Sequence, residues 1–283
     1  MEKEKAIMRL IKNGLEEDIG EADHTTLSTI SPTANGYAVL KIKEDGILAG
    51  LDFSEKIFRY KEPAIEFTFL KTDGDIMQKG EEAFTIKASI HTILQCERLV
   101  LNCMQRMSGI ATLTHKYVQK LTGYRTRLLD TRKTTPNFRI AEKEAVRIGG
   151  AYNHRMGLYD MIMLKDNHID YCGGIKPAIE KAWGYVQQYK PGLQIEVETR
   201  SLDDVRLVIK TGKVNRIMLD NFTPAQISEA LAIIDGQFET EASGGIDYNN
   251  LELYAATGVD FISSGAIIHQ ARSLDMSLKA LIK

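Results

Sequence analysis

The sequence contains no CxxC pair, and its three cysteines, Cys96, Cys103 and Cys172, are an odd number. This argues against a disulfide framework and against a zinc site. No apolar run approaches the ~20 residues needed to span a bilayer. Met1–Gly20 has the period of an amphipathic helix and lacks the apolar core of a secretion signal, so no signal peptide is expected. A cytoplasmic location is the default expectation. Charge of one sign is also missing: 36 Lys and Arg stand against 38 Asp and Glu, for a net charge of -2. That excludes a global basic field for nucleic acid or an anionic membrane surface, so any anion binding must come from a local cluster of cations. No GxGxxG follows the first strand, which removes support for a dinucleotide-binding sheet.

What remains is an ordinary globular composition. The chain has 283 residues, 43% of them hydrophobic and 26% charged, enough for one large domain or two smaller ones. Residues 1–110 read as a mixed α and β unit. Tyr37–Lys43 and Glu66–Leu70 alternate like half-buried strands, and Asp45-Gly46 and Asp73-Gly74 supply turns. From Thr92 to about Leu121 the period becomes helical, with Ile93, Cys96, Val100, Cys103 and Met107 on one stripe. Cys96 and Cys103 share that stripe as buried thiols, and Gly109 is a candidate interruption.

After Gly123 the pattern turns regular. Short apolar runs each end in a polar residue: Arg127–Asp130, Met161–Lys165, Ile195–Glu198, Arg216–Asp220, Phe238–Ala242 and Val259–Ser264. Helical stretches at Ile175–Gln188, Leu202–Lys210, Pro224–Ile234 and Tyr248–Ala256 separate most of them, and a further short strand before Asn153 is plausible. Six or seven β-α units predict a parallel sheet closed fully or partly into a (β/α) barrel. The C-terminal ends of such strands form one mouth, which would gather Asp130-Thr131-Arg132-Lys133, Lys165, Glu198, Asp220, Ser243-Gly244-Gly245 and Ser264-Gly265-Ala266.

Two kinds of group meet at that mouth. Arg132, Lys133, His154, Arg155 and Lys165 suit carboxylates or phosphates. Glu198 and Asp220 would repel an anion unless they bind sugar hydroxyls or Mg²⁺. The Ser-Gly turns offer backbone N–H groups to a phosphate. Sugar, phosphate, Mg²⁺ and a second anion together suggest a phosphoribosyl donor. Plainer readings stand beside this one. Ser-Gly-Gly is a turn first, Glu198 fits a barrel-interior ion pair, and Arg139–Arg147 reads as a solvated helix surface. His24, His91 and His115 read as structural or solvent-facing.

The run Asp130-Thr-Arg-Lys-Thr-Thr-Pro136, then Asn153-His-Arg-Met-Gly-Leu-Tyr-Asp160 and Lys165-Asp-Asn-His168, resembles the decarboxylating quinolinate phosphoribosyltransferases. Glu16–Gly20, Asp23–Thr26, Glu97-Arg98, Gln105–Thr112 and Glu241–Ile246 extend the likeness over nearly the whole chain. The resemblance implies an N-terminal α/β sandwich domain over 1–110, with a C-terminal helix at about 272–283 returning to it. An incomplete (β/α) barrel over 111–271 would carry the active site. It implies transfer of phosphoribosyl from phosphoribosyl pyrophosphate to quinolinate with loss of CO₂, giving nicotinate mononucleotide for NAD biosynthesis.

By the same resemblance Arg132, His154, Arg155 and Lys165 line the quinolinate pocket. Thr131 stands beside them, while Lys133, Lys165, Glu198 and Asp220 meet the donor and carry the chemistry. Glu198 and Asp220 hold Mg²⁺ directly or through water. Ser243, Gly244, Gly245, Ser264, Gly265, Ala266 and His269 surround the 5′-phosphate. Arg98 comes from the neighbouring subunit of a homodimer, or of a hexamer of dimers. Asn137-Phe138 replaces a Gly-Leu usual in the family, and Ser263-Ser264 a small apolar stretch. Three alternatives remain open on the sequence: a related protein of metal-transport operons, a nicotinate phosphoribosyltransferase, and a non-catalytic sensor of an anionic metabolite.

Overall fold

The computed structural model describes residues 2–281, which divide into two compact units. The first is built from the chain up to His115, Thr134–Gly150 and the chain from Ile267 onward. Its helices are α1 (Glu2–Ile19), α2 (His24–Thr29), α3 (Leu51–Lys61), α4 (Ile90–Lys120, which runs past the unit boundary) and α5 (Arg139–Ile148). Its strands are β1 (Asn35–Ile42), β2 (Gly46–Ile47), β3 (Glu66–Phe69), β4 (Ile76–Met77), β5 (Glu82–Ser89) and β12 (Met276–Ala280). An antiparallel sheet of order β12-β1-β5-β3 forms the frame, and β2 pairs with β4. Val39, Leu40, Phe84 and Ile86 of the sheet are buried, as are Ile7 and Ile11 of α1, Phe53, Ile57 and Phe58 of α3, and Met104 and Met107 of α4.

Residues 276–280 differ from the expected closing helix. Met276 and Leu278 are buried while Ser277 is half-buried and Lys279 exposed, a period of two. The register Leu40↔Leu278 and Ile42↔Met276 gives their backbone a sheet partner that a helix would forgo. Residues 282 and 283 lie outside the described residues. Residues 134–150 also group with the first compact unit. Gly109 does not break α4. Its bare Cα admits the Arg272 carbonyl oxygen, which a Cβ at that position would overlap. Cys96 and Cys103 are buried on α4 as free thiols, and burial pushes both up to about 12, so neither is reactive.

The second unit is a parallel β/α assembly. Its strands are β6 (Arg127–Leu129), β7 (Ile162–Leu164), β8 (Ile195–Thr199), β9 (Arg216–Asp220), β10 (Glu239–Ser243) and β11 (Phe261–Ser263), in the order β6-β11-β10-β9-β8-β7. All six expected strands form. The further strand before Asn153 is one parallel bridge, Leu129↔Tyr152, so the barrel stays open between Tyr152 and β7. Helices α6 (Asp166–Cys172), α7 (Ile175–Tyr189), α8 (Leu202–Thr211), α9 (Pro224–Ile234) and α10 (Leu251–Ala255) follow the strands, and the short α11 spans Ala266–His269. α9 starts at a capping box in which Thr223 and Gln226 bond each other's backbone N–H. α10 is shorter than its apolar pattern suggests, because Asp247, Asn249 and Asn250 take the preceding residues into side-chain-bonded turns. No described helix is long and apolar enough to cross a membrane.

Candidate active site

Asp130 begins the site as a brace. It is fully buried just past β6, accepts the Asn153 side-chain amide at 2.6 Å and the His154 N–H at 2.8 Å, and donates its own N–H to Tyr152 O. The carboxylate therefore fixes the 152–155 segment beside the strand end. Two residues on, Thr131 Oγ1 accepts the Lys133 N–H, a local turn that leaves Lys133 exposed and Arg132 half-buried.

His154, set by that brace, points Nε2 at two carboxylates. Glu196 on β8 lies 2.9 Å away and Glu241 on β10 3.3 Å away, while Nδ1 accepts the Arg155 N–H at 2.7 Å. Arg216 on β9 pairs with the same Glu241 at 2.9 Å. Burial disfavours the charged imidazole, but the two carboxylates outweigh it and raise His154 to about 9. Burial and the charge of Glu241 push Glu196 up to about 7, against the pull of His154 and Arg216. Glu241 goes the other way. Burial opposes its ionisation, yet His154, Ser263 and Arg216 hold it ionised. The direct Arg216 contact explains why the proton favours Glu196 over Glu241.

Around this buried core stand the expected cations and acids of the second unit. Arg155 donates to Met161 O at 3.2 Å; burial and the nearby charge of Arg132 lower its pKa, so the two guanidiniums share one neighbourhood. Lys165, just before α6, donates Nζ to Glu198 Oε2 at 3.2 Å, and its N–H is taken by His168 Nδ1. Glu198 is buried at the end of β8. Asp220 ends β9, and burial followed by the charge of Glu198 raises its pKa, against Lys165 and Ser243. The structure thus brings Arg132, His154, Arg155, Lys165, Glu198 and Asp220 to the C-terminal ends of neighbouring strands, with Ser243 ending β10 and Gly244-Gly245 directly after it. Gly244 and Gly245 have φ of 96° and 62°, a left-handed pair that favours glycine. Ser264 is turned inward. Its hydroxyl donates to Ile246 O at 2.7 Å and its N–H to Leu129 O, which leaves the donors of that turn to Gly265 and Ala266.

Arg98 and His269 belong to the first unit, both exposed, Arg98 on α4 and His269 at the end of α11. In the same unit α5 departs from a solvated surface. Glu142 and Lys143 are fully buried, and Glu142 accepts from Arg106 Nε at 2.9 Å, Thr135 N at 2.8 Å and Thr135 Oγ1 at 2.9 Å. Arg106 also donates to Ile268 O and Ala271 O, on either side of His269. The reason is packing: Ala141, Ala145 and Val146 bury this face of the helix, and the acid goes in with its guanidinium partner.

Residues 23–108 match the profile of the quinolinate phosphoribosyl transferase N-terminal domain and residues 110–279 that of the C-terminal domain. The chain belongs to the quinolinate phosphoribosyltransferase family. It is 40% identical to the chloroplastic nicotinate-nucleotide pyrophosphorylase (carboxylating) of Arabidopsis thaliana, over 95% of this chain and 81% of that one. It is also 40% identical to the probable enzyme of the same name from Synechocystis, over 95% and 90%. The solved nicotinate-nucleotide pyrophosphorylase of Francisella tularensis superposes with a TM-score of 0.89 at 38% identity, covering 98% of this chain and 96% of that chain.

Within this family frame the departure at Asn137 has a simple cause. Asn137 has φ 62°, and asparagine is the side chain that best tolerates the left-handed region after glycine, so the loop keeps a shape that glycine would allow. Sequence reasoning missed Glu196, Glu241, Arg216, Arg106 and Glu142. The signal for the barrel group was present: Glu196 and Glu198, or Glu239 and Glu241, sit two apart in a strand, so both members face one side. For a quinolinate phosphoribosyltransferase, Glu198 and Asp220 offer only two hard oxygen ligands, so Mg²⁺ there would take its remaining ligands from substrate or water. Burial first, and then the adjacent Glu198 charge, raise the Asp220 carboxyl, and a cation there would offset the second of these.

Proposed function

We propose that this chain transfers the phosphoribosyl group of phosphoribosyl pyrophosphate to the ring nitrogen of quinolinate and releases CO₂, giving nicotinate mononucleotide and pyrophosphate. The observation that carries the reading is the pairing, at one set of strand ends, of a guanidinium cluster (Arg132 with Arg155) and the acid pair Glu198 and Asp220. The cations suit the two adjacent carboxylates of quinolinate. The acids suit the ribose hydroxyls and the positive charge that develops on the ribose as pyrophosphate leaves. Lys133 and Lys165 lie between these roles, Lys165 already paired with Glu198. The N–H groups of Gly244, Gly245, Gly265 and Ala266 suit the 5′-phosphate, with Ser243 at its margin. Mg²⁺, when bound at Glu198 and Asp220, offsets charge on the leaving pyrophosphate.

In this reading the chain's own residues mainly position the reactants. Arg132 and Arg155 clamp the carboxylates and aim the ring nitrogen at the anomeric carbon. Once that nitrogen is quaternised, the bond from C2 to its carboxylate breaks. The electron pair stays on C2, held by the cationic ring, and a proton from Lys133 or Lys165 restores the C–H bond. Arg98, exposed on α4, acts across a homodimer to complete the acceptor pocket. A cytoplasmic setting belongs to the same reading and is supported by three unpaired thiols.

The test is incubation of the folded protein with quinolinate, phosphoribosyl pyrophosphate and Mg²⁺. Formation of CO₂ and nicotinate mononucleotide is expected, and absence of both would sink the reading. Nicotinate offered in place of quinolinate should give no product. Mixed Arg98→Ala and Lys165→Ala subunits, each inactive alone, should regain part of the activity after subunit exchange. No recovery would remove Arg98 from the shared site.

A further inference from the structure

Among the described residues four non-glycines adopt positive φ: Asn137, Lys213, Asn221 and Asp235. Asn137 lies in the loop after Pro136, and Asp235 and Lys213 follow helices, the ordinary place for a left-handed terminator. Asn221 is different. At φ 58° it stands immediately past the C-terminal end of a barrel strand, β9, at the mouth. A non-glycine residue held there costs conformational energy, and such positions concentrate at functional sites.

The Asn221 side chain is engaged on two sides. Its Nδ2 donates to Asp220 Oδ2 at 2.6 Å. Its Oδ1 occupies the space beside Gly244 that a side chain there would need, since a Cβ on Gly244 would overlap it and would stand 2.8 Å from Asn221 N. The Asn221 N–H meanwhile donates to Ser243 O at 2.9 Å, continuing the Asp220↔Ser243 register by one more bond. One residue therefore connects the Asp220 carboxylate with the backbone of the Ser243-Gly244-Gly245 turn. Glycine would suit the φ better and would keep the N–H bond to Ser243; asparagine adds the amide, which bonds Asp220 and fills the space beside Gly244.

We propose that Asn221 is a positioning residue for the phosphoribosyl donor, fixing the separation between the Asp220 carboxylate, which meets the ribose, and the Gly244 turn, which meets the 5′-phosphate. This rests on the donor half of the function proposed above. A ligand with both a ribose and a 5′-phosphate is gripped at two points, and the grip is strong only when the two points are held at the right spacing. Asn221 touches neither reacting atom. It acts through Asp220 and the turn.

Ribose 5-phosphate is the probe, since it carries both features and needs neither the acceptor nor catalysis. Asn221→Gly keeps the positive φ and removes the amide. Calorimetry should show ribose 5-phosphate binding weakened by about tenfold, the size of one charge-assisted hydrogen bond. Quinolinate affinity should stay within about twofold, and the melting temperature should not fall. KM for phosphoribosyl pyrophosphate should rise along with the change in ribose 5-phosphate affinity. Unchanged ribose 5-phosphate affinity in Asn221→Gly overturns the proposal, as does an equal loss for quinolinate, which would mean general disturbance. A cycle with Asp220→Asn adds a second check. If Asn221 works through Asp220, Asn221→Gly should weaken ribose 5-phosphate less in the Asp220→Asn background than in the wild type. A full additive loss overturns that route. Should the wild type bind neither ribose 5-phosphate nor phosphoribosyl pyrophosphate, the donor reading itself fails, a result distinct from every variant-specific one.

Discussion

Nε2 of His154 lies 2.9 Å from Glu196 on a strand interior with almost no exposure to water. The imidazole and carboxyl are both shifted toward holding protons, His154 up to about 9 and Glu196 up to about 7. For each, the folded pKa exceeds its ordinary value, so the folded chain binds more protons than the unfolded one. The His154 contribution to stability is fully present below its ordinary pKa of 6.5 and is lost as pH rises through 9; Glu196 adds a loss of the same sign between 4.5 and 7. Urea unfolding should therefore give a stability that declines from pH 6.5 to 9.5 by up to about 3 kcal/mol. His154→Gln should flatten that slope. A stability that rises over this interval would contradict the assignment.

Glu142 and Arg147 lie on the same helix and should behave in opposite ways. Glu142→Ala strands the half-enclosed Arg106 guanidinium and two Thr135 donors, and should cost about 3–5 kcal/mol in denaturant titration. Arg147, whose side chain is 60% exposed and contacts Glu144 at 3.8 Å, should change stability by less than about 0.5 kcal/mol when replaced by Ala.

Two glycines inside helices make a matched pair. At Gly109 an added methyl overlaps the Arg272 carbonyl oxygen, so Gly109→Ala should destabilise by about 1–3 kcal/mol or more. At Gly184, within α7, nothing lies within 4 Å of the added carbon, and Gly184→Ala should stabilise by about 0.5–1 kcal/mol. Thermal unfolding distinguishes the two directions.

Asn137 should accept glycine without loss, whereas Asn137→Ala, forced to φ 62°, should lose about 1 kcal/mol. Equal stability of the two variants would show that the loop does not depend on the left-handed residue.

Much of the barrel was legible because its signal is local. Each strand is a short apolar run that ends in a polar residue, and that ending marks the mouth, so Lys165, Glu198 and Asp220 could be placed together before any coordinates. What could not be read depends on partners distant in sequence. Glu142 looks like one more charge on a surface helix until Arg106, 36 residues earlier, is seen to enclose it. The inward turn of the Ser264 hydroxyl depends on the Ile246 carbonyl, 18 residues earlier. The final segment was expected to be helical from the family resemblance, while its two-residue period becomes decisive only when β1 offers it an edge. Asp130 opens the most suggestive motif in the chain, and its part as a brace for Asn153 and His154 depends on residues 23 and 24 positions later.

The pairing of β12 with β1 sets an order of events during synthesis. β1 lies at residues 35–42 and its outer partner at 276–280, so the first sheet waits for nearly the whole chain to emerge from the ribosome before its edge is covered. The barrel strands, contained between residues 127 and 263, are complete earlier. The nascent chain therefore carries an unpaired β1 edge while its catalytic half takes shape, and truncation just before Met276 would make that transient state permanent.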